Sequence, residues 1–175
     1  MRIRKQTIYL TVSAMLCALG VILLSLGSLI EVLDITVAVL ASLLCVYAVI
    51  EMGGAYPWLI WLVTSLLSLL ILPQKTPAIC YALFAGFYPI LKEKLEKLAR
   101  PVSFACKLIV FHISLGAICL GLWLFIPSAL DMEGIKWMPI ALYIASVVCF
   151  ILYDYALSHV ITFYLVKLRH RFRIK

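Results

Sequence analysis

Apolar and polar positions along the chain alternate in long blocks. Six predominantly apolar stretches, at roughly 7–30, 36–52, 56–72, 77–91, 104–126 and 138–167, are separated by short polar connections. A membrane-spanning helix needs about 20 mainly apolar residues, so the pattern predicts six spans, of which the second and fourth are short. Gly53, Gly54 and Pro57 punctuate one connection, Pro73 and Pro77 another, Pro101 a third, and Pro127 and Gly134 a fourth. No polar stretch between the spans leaves room for a separate soluble head. The expectation is a single integral membrane domain over residues 1–175.

Composition makes the membrane reading compelling. Of 175 residues, 66% are hydrophobic and 13% charged, with a mean hydropathy of +1.15, more apolar surface than one small soluble core could bury. The fold class expected is therefore all-α, a polytopic bundle of six transmembrane helices. The net charge of +7 is unevenly placed. Arg2, Arg4 and Lys5, then Lys92, Lys94, Lys97 and Arg100, then Lys167, Arg169, Arg171, Arg173 and Lys175 fall on one side, and only Lys75 and Lys136 on the other. By the positive-inside rule both termini are expected in the cytoplasm, which requires an even number of spans. The excess of positive charge is accordingly a signal of topology and of contact with lipid headgroups, and no nucleic-acid partner is expected.

Two elements promise more than spanning. Beyond the fourth stretch, YALFAGFYPILKEKLEKLARP repeats Leu91, Leu95 and Leu98 at helical spacing. The i, i+4 pairs Glu93 with Lys97 and Glu96 with Arg100 support a surface helix that Pro101 stops. Pro89, with Gly86 before it, is expected to bend that element near its cytoplasmic end. Trp58, Trp61, Trp123 and Trp137 fit an aromatic belt. The cysteines Cys17, Cys45, Cys80, Cys106, Cys119 and Cys149 form no CxxC pair and read as small packing residues.

Ionisable residues at membrane depth are candidates for function because their charged forms need a partner or water. Lys107 and His112 on the fifth span, and Asp154 and His159 on the sixth, qualify. Counting about 1.5 Å per residue from the cytoplasmic ends, His112, Asp154 and His159 fall at depths where they could meet. They form either a hydrogen-bonded clasp between the spans or a site for substrate or protons. Glu31 and Asp34 flank the outer connection between the first two spans, either as loop charges or as part of an outward-facing site. HExxH, GxSxG and a phosphate-binding glycine loop are all missing from the sequence, and the three histidines lack metal-ligand spacing on one helix. No enzymatic activity, metal or cofactor is expected.

The first span has one specific feature. In SAMLCALG, Ser13, Ala14, Cys17 and Ala18 recur at helical spacing, and Ala14 with Ala18 forms an AxxxA pair that allows a second helix to approach closely. With six spans, both termini inside and a basic N-terminus leading into that pair, the chain resembles the substrate-binding S component of energy-coupling factor (ECF) transporters. The resemblance implies an S-component-like bundle in the bacterial plasma membrane. It implies that Ala14 and Ala18 dock onto a transmembrane T component energised by two ATPase subunits. It also implies a small vitamin-like substrate bound near the outer face, where Glu31, Asp34, Trp137, Tyr143 and Asp154 stand by position. The layout is also similar to that of the cell-shape protein MreD, a non-transporting scaffold. On that reading KLRHRFRIK and KEKLEKLAR would dock envelope-synthesis, cytosolic or lipid partners.

Overall fold

The computed structural model describes residues 2–125 and 138–168, and among these every regular element is helical. The chain divides into two compact units, Met1–Pro127 and Ser128–Lys175. The first unit holds α1 (Arg2–Leu29), a short 3₁₀ turn (Glu31–Leu33), α2 (Asp34–Glu51), α3 (Tyr56–Ile71), α4 (Thr76–Cys80) with a π turn over Tyr81–Ala85, α5 (Tyr88–Leu95) and α6 (Arg100–Phe125). The second holds α7 (Met138–Phe163), which runs on through a π turn at Tyr164–Leu168.

Every apolar stretch predicted from the sequence is thus helical over nearly its predicted length. Four of them, Gln6–Leu29, Asp34–Glu51, Arg100–Gly121 and Pro139–Lys167, are long and apolar enough to cross a membrane. The third, α3, is a shorter apolar helix of 16 residues, and the fourth is divided between α4, the π turn and α5.

Proline placement explains where these helices begin. Five of the seven prolines, Pro57, Pro77, Pro89, Pro101 and Pro139, occupy the second residue of α3, α4, α5, α6 and α7. A proline in the first turn sacrifices no hydrogen bond, because the N–H it lacks has no intrahelical partner there, and its fixed φ suits the helix. Two expectations are corrected by this. Pro89 does not bend a continuing helix: the chain loosens first in the π turn, breaks at Gly86 and Phe87, and Pro89 opens α5. Pro101 does not stop the surface helix, which ends at Leu95; it starts α6. Between α2 and α3, Gly53 and Gly54 both have φ near +61°, a backbone region closed to most side chains.

The first unit is built inside out relative to a soluble bundle. Leu62, Leu66, Leu70 and Ile71 of α3 and Leu10, Met15 and Ile22 of α1 are exposed, whereas its core is rich in Ala38, Ala41, Ala48, Ala78 and Ala85. Where the surroundings are as apolar as leucine, helices gain by close packing of small residues. α1 packs against both α2 and α3.

The cytoplasmic connection follows a different pairing from the expected one. Glu93 and Lys97 form their i, i+4 pair at 3.0 Å. Glu96, however, pairs with Lys92 at 3.2 Å and with Lys107 at 3.3 Å rather than with Arg100. The helix stops before Arg100, so the i, i+4 register that would join Glu96 to it is lost. Lys107, expected as an isolated intramembrane charge, is one arm of this cluster.

Candidate functional site

The buried polar groups of the first unit lie mainly on the inner faces of α1 to α4. On α3, the run LVTSLLSLL places Thr64, Ser65 and Ser68 on one face, and all three are buried among exposed leucines. The Thr64 hydroxyl hydrogen-bonds toward Cys17 of α1 and Tyr81 of the π turn. Tyr81 is 1% exposed, and its hydroxyl lies 3.1 Å from the Cys45 thiol of α2. Cys17 points its thiol at the Ile60 carbonyl, 3.8 Å away. Thiol, hydroxyl and phenol from four elements are therefore joined in the interior. The hydroxyls of Ser65 and Ser68 are buried and have no hydrogen-bond partner among the described residues, which is uncommon for buried polar groups.

The π turn is part of the same arrangement. A π turn shifts the backbone out of its regular ladder and is frequent at functional positions. Here the indole Nε1 of Trp61 donates to the Ala82 carbonyl at 3.0 Å, satisfying a group within the turn. Trp61, expected in an aromatic belt, thus anchors α3 to the turn, and packs edge-on against Trp58 and Phe87.

At the end of the seam where α1 meets α2 stands Asp34. It is the first residue of α2, a position where a negative charge is favoured by the helix dipole. It is 7% exposed, near Cys80. Ser28 accepts a hydrogen bond from the Gln74 backbone N–H at 3.0 Å. Lys75, which reads as an ordinary loop charge, donates to the Leu69 and Leu72 carbonyls at 2.7 and 2.6 Å, capping the end of α3. This end of the unit is tied together by side chains around a buried carboxylate. Such a combination of one carboxylate and several neutral donors and acceptors suits hydrogen bonding to a small polar solute.

The other site residues read from the sequence are distributed differently. Glu31 lies in the 3₁₀ turn before α2; its side chain and the whole of Trp137 lie outside the described residues. Tyr143 is 47% exposed on α7, and its carbonyl accepts from Ser146 at 2.7 Å. His112 belongs to the first unit, where a ring nitrogen lies 2.8 Å from the Leu108 carbonyl and the ring packs against Phe111. Asp154 and His159 belong to the second. There Ser158 donates to the Asp154 carbonyl at 3.0 Å, and Tyr155 packs edge-on against His159 with centroids 4.6 Å apart. Among the described residues, no three His, Cys, Asp or Glu side chains gather as a metal site would require.

Ala14 and Ala18 are both exposed, while Ser13, Cys17 and Gly20, their neighbours on the helix, are buried. The small residues of SAMLCALG thus divide between two faces. The outward face continues through Thr7 and Thr11. Thr11 donates to the Thr7 carbonyl at 3.0 Å, and farther along Ser25 donates to the Val21 carbonyl at 2.8 Å, so these hydroxyls are satisfied by their own helix.

The hydroxyl run of α3 escaped the sequence reading, although its 64, 65, 68 spacing in a leucine-rich stretch carried the signal. Against known proteins the chain stands apart: no protein-family model, curated protein or solved structure matches it.

Proposed function

We propose that the chain is the substrate-binding membrane subunit of an ECF-type uptake transporter, with six spans, both termini cytoplasmic, and α1 as its docking helix. The observation that carries the reading is the division of small residues on α1. Ser13, Cys17 and Gly20 serve packing within the bundle, which leaves Ala14 and Ala18 as a flat exposed ridge suited to close approach by a helix of another subunit. The buried seam headed by Asp34 supports a small polar substrate held between α1, α2 and α3. Four helices of crossing length support residence in a membrane.

The test is affinity purification from membranes in mild detergent. Wild-type protein is expected to retain a membrane partner and ATPase subunits, and Ala18→Leu is expected to lose them while keeping the wild-type unfolding temperature. Recovery of envelope-synthesis proteins without any ATPase would instead support the MreD-like scaffold. Unfolding of the isolated Ala18→Leu variant would show that the ridge serves the protein's own packing.

A further inference from the structure

The end of the first unit where α5 gives way to α6 holds a second built feature, unrelated to the seam. Lys92 on α5 and Lys107 on α6 direct their ammonium groups to the same oxygen, Oε1 of Glu96, at 3.2 and 3.3 Å. The two lysine side chains are 0% and 10% exposed, and that of Glu96 is 43% exposed. Both cations are thus fixed in the protein, while the anion between them has room to leave.

The surroundings make the cluster electropositive. From residue 92 to residue 107 the chain carries five basic residues, Lys92, Lys94, Lys97, Arg100 and Lys107, against Glu93 and Glu96, a net charge of +3. Glu93 is engaged by Lys97, and Lys94 lies over the Trp58 ring, 5.7 Å from its centroid. Arg100 is exposed and stands at the start of the 26-residue α6, whose N-terminal end adds its own positive potential. Basic pockets between helices at the cytoplasmic surface recognise anionic headgroups. A phosphate offers several oxygens to two ammonium groups that otherwise share one.

We propose that the α5–α6 junction binds an anionic phosphate group, supplied by a phospholipid headgroup, with Lys92 and Lys107 as its fixed cations and Glu96 as the counter-ion that it displaces. The reading needs no transporter partner and stands or falls apart from the proposed uptake function.

The full chain would be reconstituted in nanodiscs of phosphatidylcholine alone, phosphatidylcholine with phosphatidylglycerol, and phosphatidylcholine with inorganic phosphate at matched ionic strength. Thermal unfolding and native mass spectrometry of retained lipid give the readouts. Phosphatidylglycerol is expected to raise the unfolding temperature. Lys107→Gln should weaken lipid retention about fivefold, the effect of one basic residue near an anionic surface. Glu96→Gln should strengthen it, because the competing carboxylate is gone. A rise with inorganic phosphate and none with phosphatidylglycerol would keep the phosphate chemistry but overturn the lipid source. Should Lys107→Gln fail to fold, Glu96→Gln alone decides: retention unchanged or reduced overturns the proposal and leaves the triad as a structural tie.

Discussion

At Gly86 the absence of one methyl group decides whether the π turn can form. A Cβ there would stand 2.5 Å from Trp61 Cδ1 and 2.8 Å from Tyr81 Cζ, distances at which two rings, each already committed to a hydrogen bond, must give way. Overpacking of this kind costs about 1–3 kcal/mol. Gly86→Ala is therefore expected to lower the unfolding temperature measured in detergent, and an unchanged value would show that the rings move freely. The chemistry at this scale was only partly legible in the sequence. Asp34 could be named as a candidate because a carboxylate beside a short loop is visible without a structure. Tyr81, Cys45 and Thr64 could not be joined, since their partnership depends on the rotation of three helices about their axes, and a run of small polar residues in a hydrophobic helix is equally compatible with packing. Glu96 was assigned the wrong partner because the i, i+4 rule presumes an unbroken helix, and the break at residue 96 sends the carboxylate to Lys107 instead.

Helices and their ends form the next scale, and here proline shows both the strength and the limit of a sequence reading. The apolar blocks located every helix to within a few residues. Pro89 and Pro101, however, were taken in their helix-breaking sense, when in this chain an X-Pro step repeatedly opens a helix. The same residue ends one helix by refusing to continue it and begins the next with a backbone already set, and only the chain's course distinguishes the two. The divided fourth segment is what the π turn and Pro89 produce together, and Trp61 is the brace across it. Trp61→Phe keeps the ring stacking against Phe87 but leaves the Ala82 carbonyl without its indole donor. The loss of such a partner for a buried group costs about 1–3 kcal/mol. The expected result is a lower unfolding temperature together with faster amide exchange confined to residues 81–87. Uniform exchange throughout the bundle would argue against a local brace.

For the whole molecule, the question is how many of the six apolar segments cross. α3 is short and the α4–α5 segment is broken, yet the placement of basic residues requires an even count if both ends share a side. Single cysteines introduced near each terminus of a cysteine-free variant, challenged with a membrane-impermeant maleimide, would decide it. Both are expected to react only in inverted vesicles. Labelling of the two ends from opposite sides would require an odd count and would make the α4–α5 segment the first candidate to turn back without crossing. The basic clusters were legible in sequence because topology is written in composition. The division into two units was not, since no change of composition marks it and the connection between them is as short as the others.

The packing of α1 against α3 as well as α2 sets an order of events during biosynthesis. The first helix enters the bilayer with Ser13, Cys17 and Gly20 facing nothing, because α3, which supplies Thr64 and Ile60 opposite them, has yet to leave the ribosome. Until then a helix with small residues on two sides is exposed to any neighbour. A nascent chain stalled after α2 therefore presents both its permanent ridge and its future interior to the insertion machinery, and only the arrival of α3 tells one from the other.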